Sequence, residues 1–151
     1  MSKAKKTTII IAAFALIVVV AGGIYIRNLS QKGLPDYTAN VSLKGIAEDV
    51  TIYRDEYAIP HIYAKNERDL YMATGYCMAQ DRLWQMDLLR RVTQGRLSEI
   101  FGKDMVDVGL LMRALRFEDK SRRMLAKADG NLRACVEAFA DGVNQYIAAH
   151  R

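Results

Sequence analysis

Hydrophobic residues follow three patterns along this chain, and each pattern predicts a different kind of element. An unbroken apolar run extends from Thr7 to Ile26 and, as a helix, would cover about 30 Å, the thickness of one hydrocarbon core. Short stretches that alternate between apolar and polar residues come next. Beyond them, apolar residues recur about every 3.6 positions as far as Ile147. The chain is therefore predicted to form a long apolar helix, a short β-hairpin and several amphipathic helices, an α+β fold.

The apolar run predicts a transmembrane signal anchor over residues 7–26. Three lysines lie in the preceding tail, residues 1–6, so the positive-inside tendency predicts a cytoplasmic N-terminus and export of everything after Arg27. The alternative is a cleaved signal peptide with its small-residue site at Ala21–Gly23. The apolar stretch is longer than a usual signal-peptide core, which favours the anchor.

Residues 27–40 are predicted to form a polar linker. Gly33 and Pro35 interrupt regular structure within it. The exported domain is therefore expected to occupy residues 41–151.

Three β-rich stretches follow the linker. Val41–Gly45 is a candidate short strand, and Asp49–Arg54 and Ile59–Ala64 alternate in the manner of a β-hairpin. Glu56–Ala58 would form the turn. Pro60 lacks an N–H and suits the beginning of a strand.

A long amphipathic helix is predicted from Glu67 to Thr93. Asn66 suits the N-cap, Asp69 lies in the first turn where acids favour the helix dipole, and Gly95 is a natural stop. The stripe expected to face the core is Leu70, Ala73, Cys77, Gln80/Asp81, Trp84, Leu88 and Val92.

Four further helices are expected. The first three are Leu97–Phe101, Val106–Leu115 and Glu118–Lys127, and the last begins after a cap at Asp129 or Asn131. The apolar face of the last helix is expected to be Leu132, Val136, Phe139, Val143 and Tyr146/Ile147.

The net charge of +5 does not indicate a nucleic-acid-binding protein. Of the 22 Lys and Arg residues, five lie in residues 1–32, where there is no acid, so 17 bases and 17 acids remain in residues 33–151. A balanced domain has no global field that attracts phosphates. Nucleic acid is therefore not expected as a partner.

Asp81 is the most unusual polar residue of the long helix, because Gln80 and Asp81 interrupt its apolar stripe. A charge facing a core must be paired or strongly hydrogen-bonded. Asp81 is therefore interpreted as part of a buried network with an arginine or with backbone N–H groups. The alternative, a general acid or base, is disfavoured because no second carboxylate or histidine shares its face.

Two other residues could serve as nucleophile or base. His61 lies in a strand-like segment, where a lone histidine is usually structural, although spacing alone does not exclude a triad. The chain has no G-x-S-x-G motif. Cys77 lies mid-helix on the apolar stripe and is interpreted as a core residue. Cys77 and Cys135 are 58 positions apart, and after export they could form a disulfide or remain buried thiols.

Two groups of basic residues are candidate phosphate-binding patches: Arg90 with Arg91, and the set Arg113, Arg116, Lys120, Arg122 and Arg123. Acidic neighbours of the set, and a helix C-terminus near Arg91, instead favour solvated faces and compensation of the helix dipole. No Gly-rich phosphate loop and no zinc or calcium ligand pattern occurs in the sequence. No catalytic, cofactor-binding or metal-binding residue is therefore assigned.

Several blocks of sequence resemble the start of the α-chain of penicillin acylases, a family of N-terminal nucleophile hydrolases. The resemblance covers residues 49–146 and rests on Arg54–Tyr57, Pro60–Tyr63, Ala79–Met86, Arg90–Arg91 and Thr93–Gly95. It implies an incomplete part of a four-layer αββα fold. The partners would be the rest of the α-chain and the β-chain of one self-cleaving precursor.

The resemblance also implies a chemistry. A serine at the start of the β-chain would attack a linear amide, either a β-lactam side chain or an N-acyl homoserine lactone, and the complete enzyme would bind calcium. These functional residues lie downstream of the matched region, so this chain alone is expected to be inactive. The alternative is a non-catalytic, membrane-tethered helical module, or a decayed gene fragment that retains the scaffold.

Overall fold

A computed structural model describes residues 3–32 and 35–150 of the chain. The contacts between residues divide it into two compact units, residues 1–40 and residues 41–151. The described part is mainly helical, with one small antiparallel hairpin.

The first unit contains one helix, α1, from Lys3 to Lys32. It continues six residues past Ile26, through residues that we expected in the linker. Gly33, expected to interrupt structure, lies outside the described residues. The stretch Ile11–Gln31 is long and apolar enough to cross a membrane, with a mean hydropathy of 1.9. An N-terminal signal sequence has the same properties, so the helix agrees with either interpretation.

The second unit begins with irregular chain, and the predicted strand Val41–Gly45 is wrong. The backbone turns at Lys44 and Gly45, and the φ angle of Gly45 is +88°. The Gln145 side chain satisfies both backbone groups of Lys44: its Oε1 accepts from Lys44 N at 2.7 Å and its Nε2 donates to Lys44 O at 3.0 Å. A side-chain amide, rather than a neighbouring strand, thus holds this segment.

The predicted hairpin is confirmed, with shorter strands. Strand β1, Thr51–Arg54, pairs antiparallel with β2, Pro60–Tyr63, so that Ile52 lies opposite Ile62. One face of the hairpin carries Ile62 and Arg54, which are half-buried. The other face carries Tyr53, His61 and Tyr63, which are exposed.

Helix α2 runs from Glu67 to Thr93, as predicted. The Asn66 side chain caps it by accepting a hydrogen bond from Asp69 N at 2.8 Å. Gly95 ends it at φ +65°, a conformation that glycine adopts without strain.

Three short helices follow α2. The first is α3 (Ser98–Phe101), which is followed by a 3-10 turn at Lys103–Met105. The other two are α4 (Val106–Ala114) and α5 (Phe117–Lys127). The predicted helices are therefore confirmed to within one or two residues.

The last helix, α6, covers Gly130–Ala149, and Asp129 is its cap, accepting from Leu132 N at 2.7 Å. The predicted apolar face is wrong in part, because Leu132 is 53% exposed and Val136 is also exposed. The buried residues are the small ones next to that face, Cys135, Ala138 and Gly142.

A close crossing of α2 and α6 explains this choice of face. A Cβ on Gly75 would lie 2.1 Å from Phe139 O, and one on Gly142 would lie 2.0 Å from Met72 O. At both positions a helix backbone therefore occupies the space of a side chain. Large side chains such as Leu132 cannot lie in so narrow an interface, so the helix turns its small residues inward.

We expect Gly142→Ala to lower the free energy of unfolding by roughly 3 kcal/mol, because the added methyl group forces the two backbones apart. Urea unfolding followed by circular dichroism measures this. Gly130→Ala in the same helix is the matched control, since nothing lies within 4 Å of its Cβ position, and it should leave stability unchanged or higher by up to about 1 kcal/mol. Equal effects of the two substitutions would show that the crossing is not tight.

Candidate functional site

The polar residues singled out in the sequence meet where the hairpin lies against α2. Arg54, the last residue of β1, donates from Nη1 to Asp81 Oδ2 at 2.9 Å and to Ala58 O at 2.8 Å. Its Nη2 donates to Gln80 Oε1 at 3.0 Å. The Arg54 and Asp81 side chains are only 13% and 20% exposed. This arrangement, the Arg54–Asp81 clamp, confirms the interpretation of Asp81 as one partner in an arginine network.

Helix α2 is kinked directly after the clamp. Arg82 has φ −142° and ψ 27°, outside helical geometry. All buried residues of α2 precede the kink, the last being Ala79. The predicted stripe is therefore wrong at Trp84, which is 59% exposed. A kink shifts the face that follows it, so a single helical period does not extend through residue 82.

His61, in strand β2, contacts a carboxylate of the hairpin turn. Its Nε2 lies 3.3 Å from Asp55 Oδ2, while Asp55 Oδ1 accepts from the backbone N–H groups of Tyr57 and Ile59, each at 2.9 Å. The hydrogen bond from Ile59, followed by the contact with His61, lowers the pKa of Asp55. Within the part of the chain that the structure describes, no hydrogen bond joins His61 to a serine or cysteine.

Both cysteines are buried free thiols, not a disulfide. Burial raises the pKa of Cys77, and the neighbouring carboxylate of Asp81 adds to this effect while Arg54 opposes it. A nucleophilic cysteine needs the opposite shift. Cys77 is thus a core residue, as the sequence indicated.

Asp69, a fully buried charge in the described part of the chain, was predicted only as an acid of the first helical turn. Its side chain is 1% exposed and accepts from Ala47 N at 3.1 Å, Glu48 N at 3.0 Å and Asn66 Nδ2 at 2.7 Å. Burial alone would raise its pKa, but these hydrogen bonds outweigh burial and lower it. Asp69 therefore fastens the irregular segment to α2. The Asn66–Asp69 spacing was the only signal in the sequence.

The arginines near the C-terminal end of α2 and just beyond it form ion-pair networks at the surface. Asp87 pairs with Arg90 at 2.6 Å and with Arg91 at 2.7 Å, and Glu99 pairs with Arg91 and Arg96. The hydrogen bond from Arg91, then the one from Arg90, lowers the pKa of Asp87. These guanidinium groups are compensated, in agreement with the interpretation as solvated faces.

Comparisons with known proteins identify the family of this chain. The model of the penicillin amidase family matches residues 49–151. The chain is 36% identical over 123 residues to penicillin acylase 2 proenzyme of Pseudomonas sp. (strain SE83), covering 82% of this chain and 16% of that protein. It is 39% identical over 110 residues to penicillin G acylase of Escherichia coli, covering 70% and 13% of the two chains.

An acyl-homoserine lactone acylase of Pseudomonas putida is 33% identical over 121 residues, covering 80% of this chain and 15% of that protein. Among solved structures, thermostable penicillin G acylase from Alcaligenes faecalis is 32% identical, with a TM-score of 0.61 over 67% of this chain and 54% of that one. The chain belongs to the penicillin amidase family. It spans about one-sixth or less of the length of these three curated relatives.

In this member of the penicillin amidase family, the structure assigns an architectural task to the residues that carry the resemblance. The hairpin is closed by the contact between Asp55 and His61. It is bound to α2 by the hydrogen bonds from Arg54 to Gln80 and Asp81. Among the residues that the structure describes, no group of three or more His, Cys, Asp or Glu could hold a metal ion.

We expect Asp81→Asn to lower the free energy of unfolding by about 2 kcal/mol, between the values for exposed and buried pairs, because it leaves a sheltered Arg54 without its counter-charge. Urea unfolding measures it. Glu137→Gln is the matched isosteric control, since Glu137 forms an exposed pair with Arg133 at 3.0 Å and should change stability by less than about 0.5 kcal/mol. A loss for Asp81→Asn no larger than for the control would contradict a structural clamp.

Asp69 should make the free energy of unfolding depend on pH in the acidic range. Its folded pKa lies below the unfolded value of 3.8, so its contribution is complete above 3.8 and is lost as the pH falls through the folded value. Asp69→Asn should therefore lower the free energy of unfolding at neutral pH, by about 1–3 kcal/mol, and the difference from the wild type should shrink below pH 3.8.

Urea midpoints measured across this pH range test the prediction. Asp141→Asn, an exposed position on α6, serves as control and should show a nearly constant difference from the wild type. An Asp69→Asn difference that stays constant with pH would contradict an ionised Asp69.

Proposed function

We propose that this chain is the N-terminal lobe of a membrane-tethered amidohydrolase precursor. The observation that carries the proposal is membership of the penicillin amidase family over residues 49–151. Its curated relatives are acylases, and one of them is described as a proenzyme. The complete protein would hydrolyse a linear amide, with a serine downstream of this chain as the nucleophile.

The open face of the hairpin supports the idea of a lobe that needs a complement. Tyr53 and Tyr63 form an edge-to-face pair with centroids 6.0 Å apart, and both are more than 60% exposed. A two-stranded hairpin with one aromatic face in water is marginally stable. The proposed complement is the rest of the α-chain and the β-chain of the same precursor, which would pack on this face.

The proposed substrates share an acyl group on an amide nitrogen. The relatives include penicillin acylases and acyl-homoserine lactone acylases. A β-lactam side chain and an N-acyl homoserine lactone are therefore the two candidate substrate classes. The residues that choose between them, and any calcium ligands, would lie downstream.

The polar chemistry of the described residues supports a nucleophile located elsewhere. The thiol of Cys77 has a raised pKa, and His61 is engaged with Asp55. Cys77 lacks the lowered pKa that a nucleophilic thiol requires, and His61 contacts a carboxylate of the hairpin rather than a nucleophile among the described residues. We place the lobe on the exported side of a membrane, anchored through α1, which is apolar over Ile11–Gln31.

The purified 151-residue chain should hydrolyse neither benzylpenicillin nor an N-acyl homoserine lactone, because the proposed nucleophilic serine lies downstream of it. A precursor translated from the coding sequence beyond Arg151 should cleave itself and then hydrolyse one of the two. Intact-mass spectrometry measures self-cleavage and retention of α1, and liquid chromatography measures the released acid.

The matched control is the same precursor with its newly exposed serine changed to alanine, which should fold without hydrolysing either substrate. Hydrolysis by the 151-residue chain itself would contradict the proposal. So would a reading frame that stops directly after Arg151, which would instead support a non-catalytic, membrane-tethered module.

A further inference from the structure

A cleft of about 370 Å³ lies beside the C-terminal end of α2. Gln94 forms one side, Met112 and Arg113 of α4 another, and the junction of α4 with α5, including Arg116 and Phe117, the third. Its size is that of a small organic molecule. The Thr93–Gly95 motif borders the cleft, whereas the other family motifs lie on the hairpin and on α2.

The architecture of the cleft depends on two backbone features. Gly95 and Gly109 allow α4 to lie directly against the end of α2, since a Cβ on Gly95 would come within 2.4 Å of Gly109 O. Arg116 has φ +54°, a left-handed conformation that is uncommon for a residue with a side chain. This turn places Phe117 at the start of α5, on the cleft wall. Strained residues of this kind concentrate at binding sites.

One positive charge in the cleft is uncompensated. Arg116 pairs with Asp119 at 2.9 Å, the same carboxylate pairs with Arg123 outside the lining at 2.8 Å, and Arg122 pairs with Glu118 at 2.8 Å. Arg113 also lines the cleft, and it has no acidic partner among residues 35–150. Its side chain packs over Gly95, where its Cγ and Nε atoms occupy the space that a Cβ on residue 95 would need. The lining therefore carries a net charge of +1, since three arginines face two carboxylates.

We propose that this cleft binds an organic monocarboxylate. The carboxylate accepts hydrogen bonds from the Arg113 guanidinium, whose planar fork matches two oxygens. The apolar body of the ligand packs on Met112 and Phe117. A single uncompensated charge beside apolar surface favours one carboxylate with a hydrocarbon group over a phosphate or a nucleotide, which carry more charge than the lining offsets.

Titration of the full chain in a non-ionic detergent with benzoate tests the proposal. Benzamide is the matched neutral isostere. Chemical shifts of the Met112 methyl group and the Phe117 ring should move with benzoate, with a dissociation constant in the range of about 1–10 mM, as expected for a small ligand in an open site. Benzamide should not saturate. Equal shifts with the two compounds would overturn the proposal.

Substitutions assign the binding to Arg113. Arg113→Gln should weaken benzoate binding about tenfold, and Arg113→Lys should weaken it less, because the charge remains while the fork is lost. Arg133→Gln, which removes an exposed paired arginine of α6, should have no effect. Unchanged binding by a folded Arg113→Gln variant would refute the assignment. If circular dichroism shows that this variant is unfolded, the benzoate–benzamide comparison on the wild type decides. The substitutions and the observed signals all lie within the described residues. The result therefore does not depend on whether the complete protein is an amidase.

Discussion

The backbone contact between α2 and α6 is the constraint on which the second unit depends. Gly75 and Gly142 remove the side chains that would separate the two helices, so each helix lies against the carbonyl groups of the other. Short contacts of this kind tolerate no added methyl group, whereas a large apolar interface can repack. The core consequently contains many small residues, such as Ala73, Ala138 and Cys135, beside the larger Met72 and Tyr76.

The rest of the unit is fastened to this helix pair by polar side chains. Asp69 holds the backbone at Ala47 and Glu48, and Arg54 holds the hairpin against Asp81. Each of these charges is sheltered and fully engaged, so each acts as a geometric constraint more than as a source of reactivity. Asp81, the most unusual polar residue of the long helix in the sequence, is therefore a structural partner of Arg54 in the fold.

The local part of the fold could be predicted from the sequence. The ends of α2 were predicted correctly because Asn66 and Gly95 determine them by interactions within a few residues. The inward face of α6 was not predicted correctly, because it depends on contacts with the α2 backbone between residues 64 and 70 positions apart. Apolar periodicity favours Leu132 and Val136 over Ala138. The prediction that Trp84 faces the core was wrong for a related reason, since the amino-acid composition does not signal the kink at Arg82.

The same distinction applies to the polar residues. An arginine partner for Asp81 was predictable because a charge on an apolar stripe requires one. Asp69 was recognised only as a helix-end acid, because its acceptors, Ala47 and Glu48, are backbone groups without a sequence signature. The cleft beside Gly95 likewise depends on an approach to Gly109 that no local pattern reports.

The bond between Gln145 and Lys44 has a consequence for the order in which the lobe can form. The two residues are 101 positions apart, whereas Asp69 reaches its partners across 21 and 22 positions. During synthesis, the hairpin and α2 can therefore assemble while water still solvates the Lys44 backbone. Only the arrival of α6 replaces that water, so the first residues of the lobe to be made are among the last to acquire their final partner.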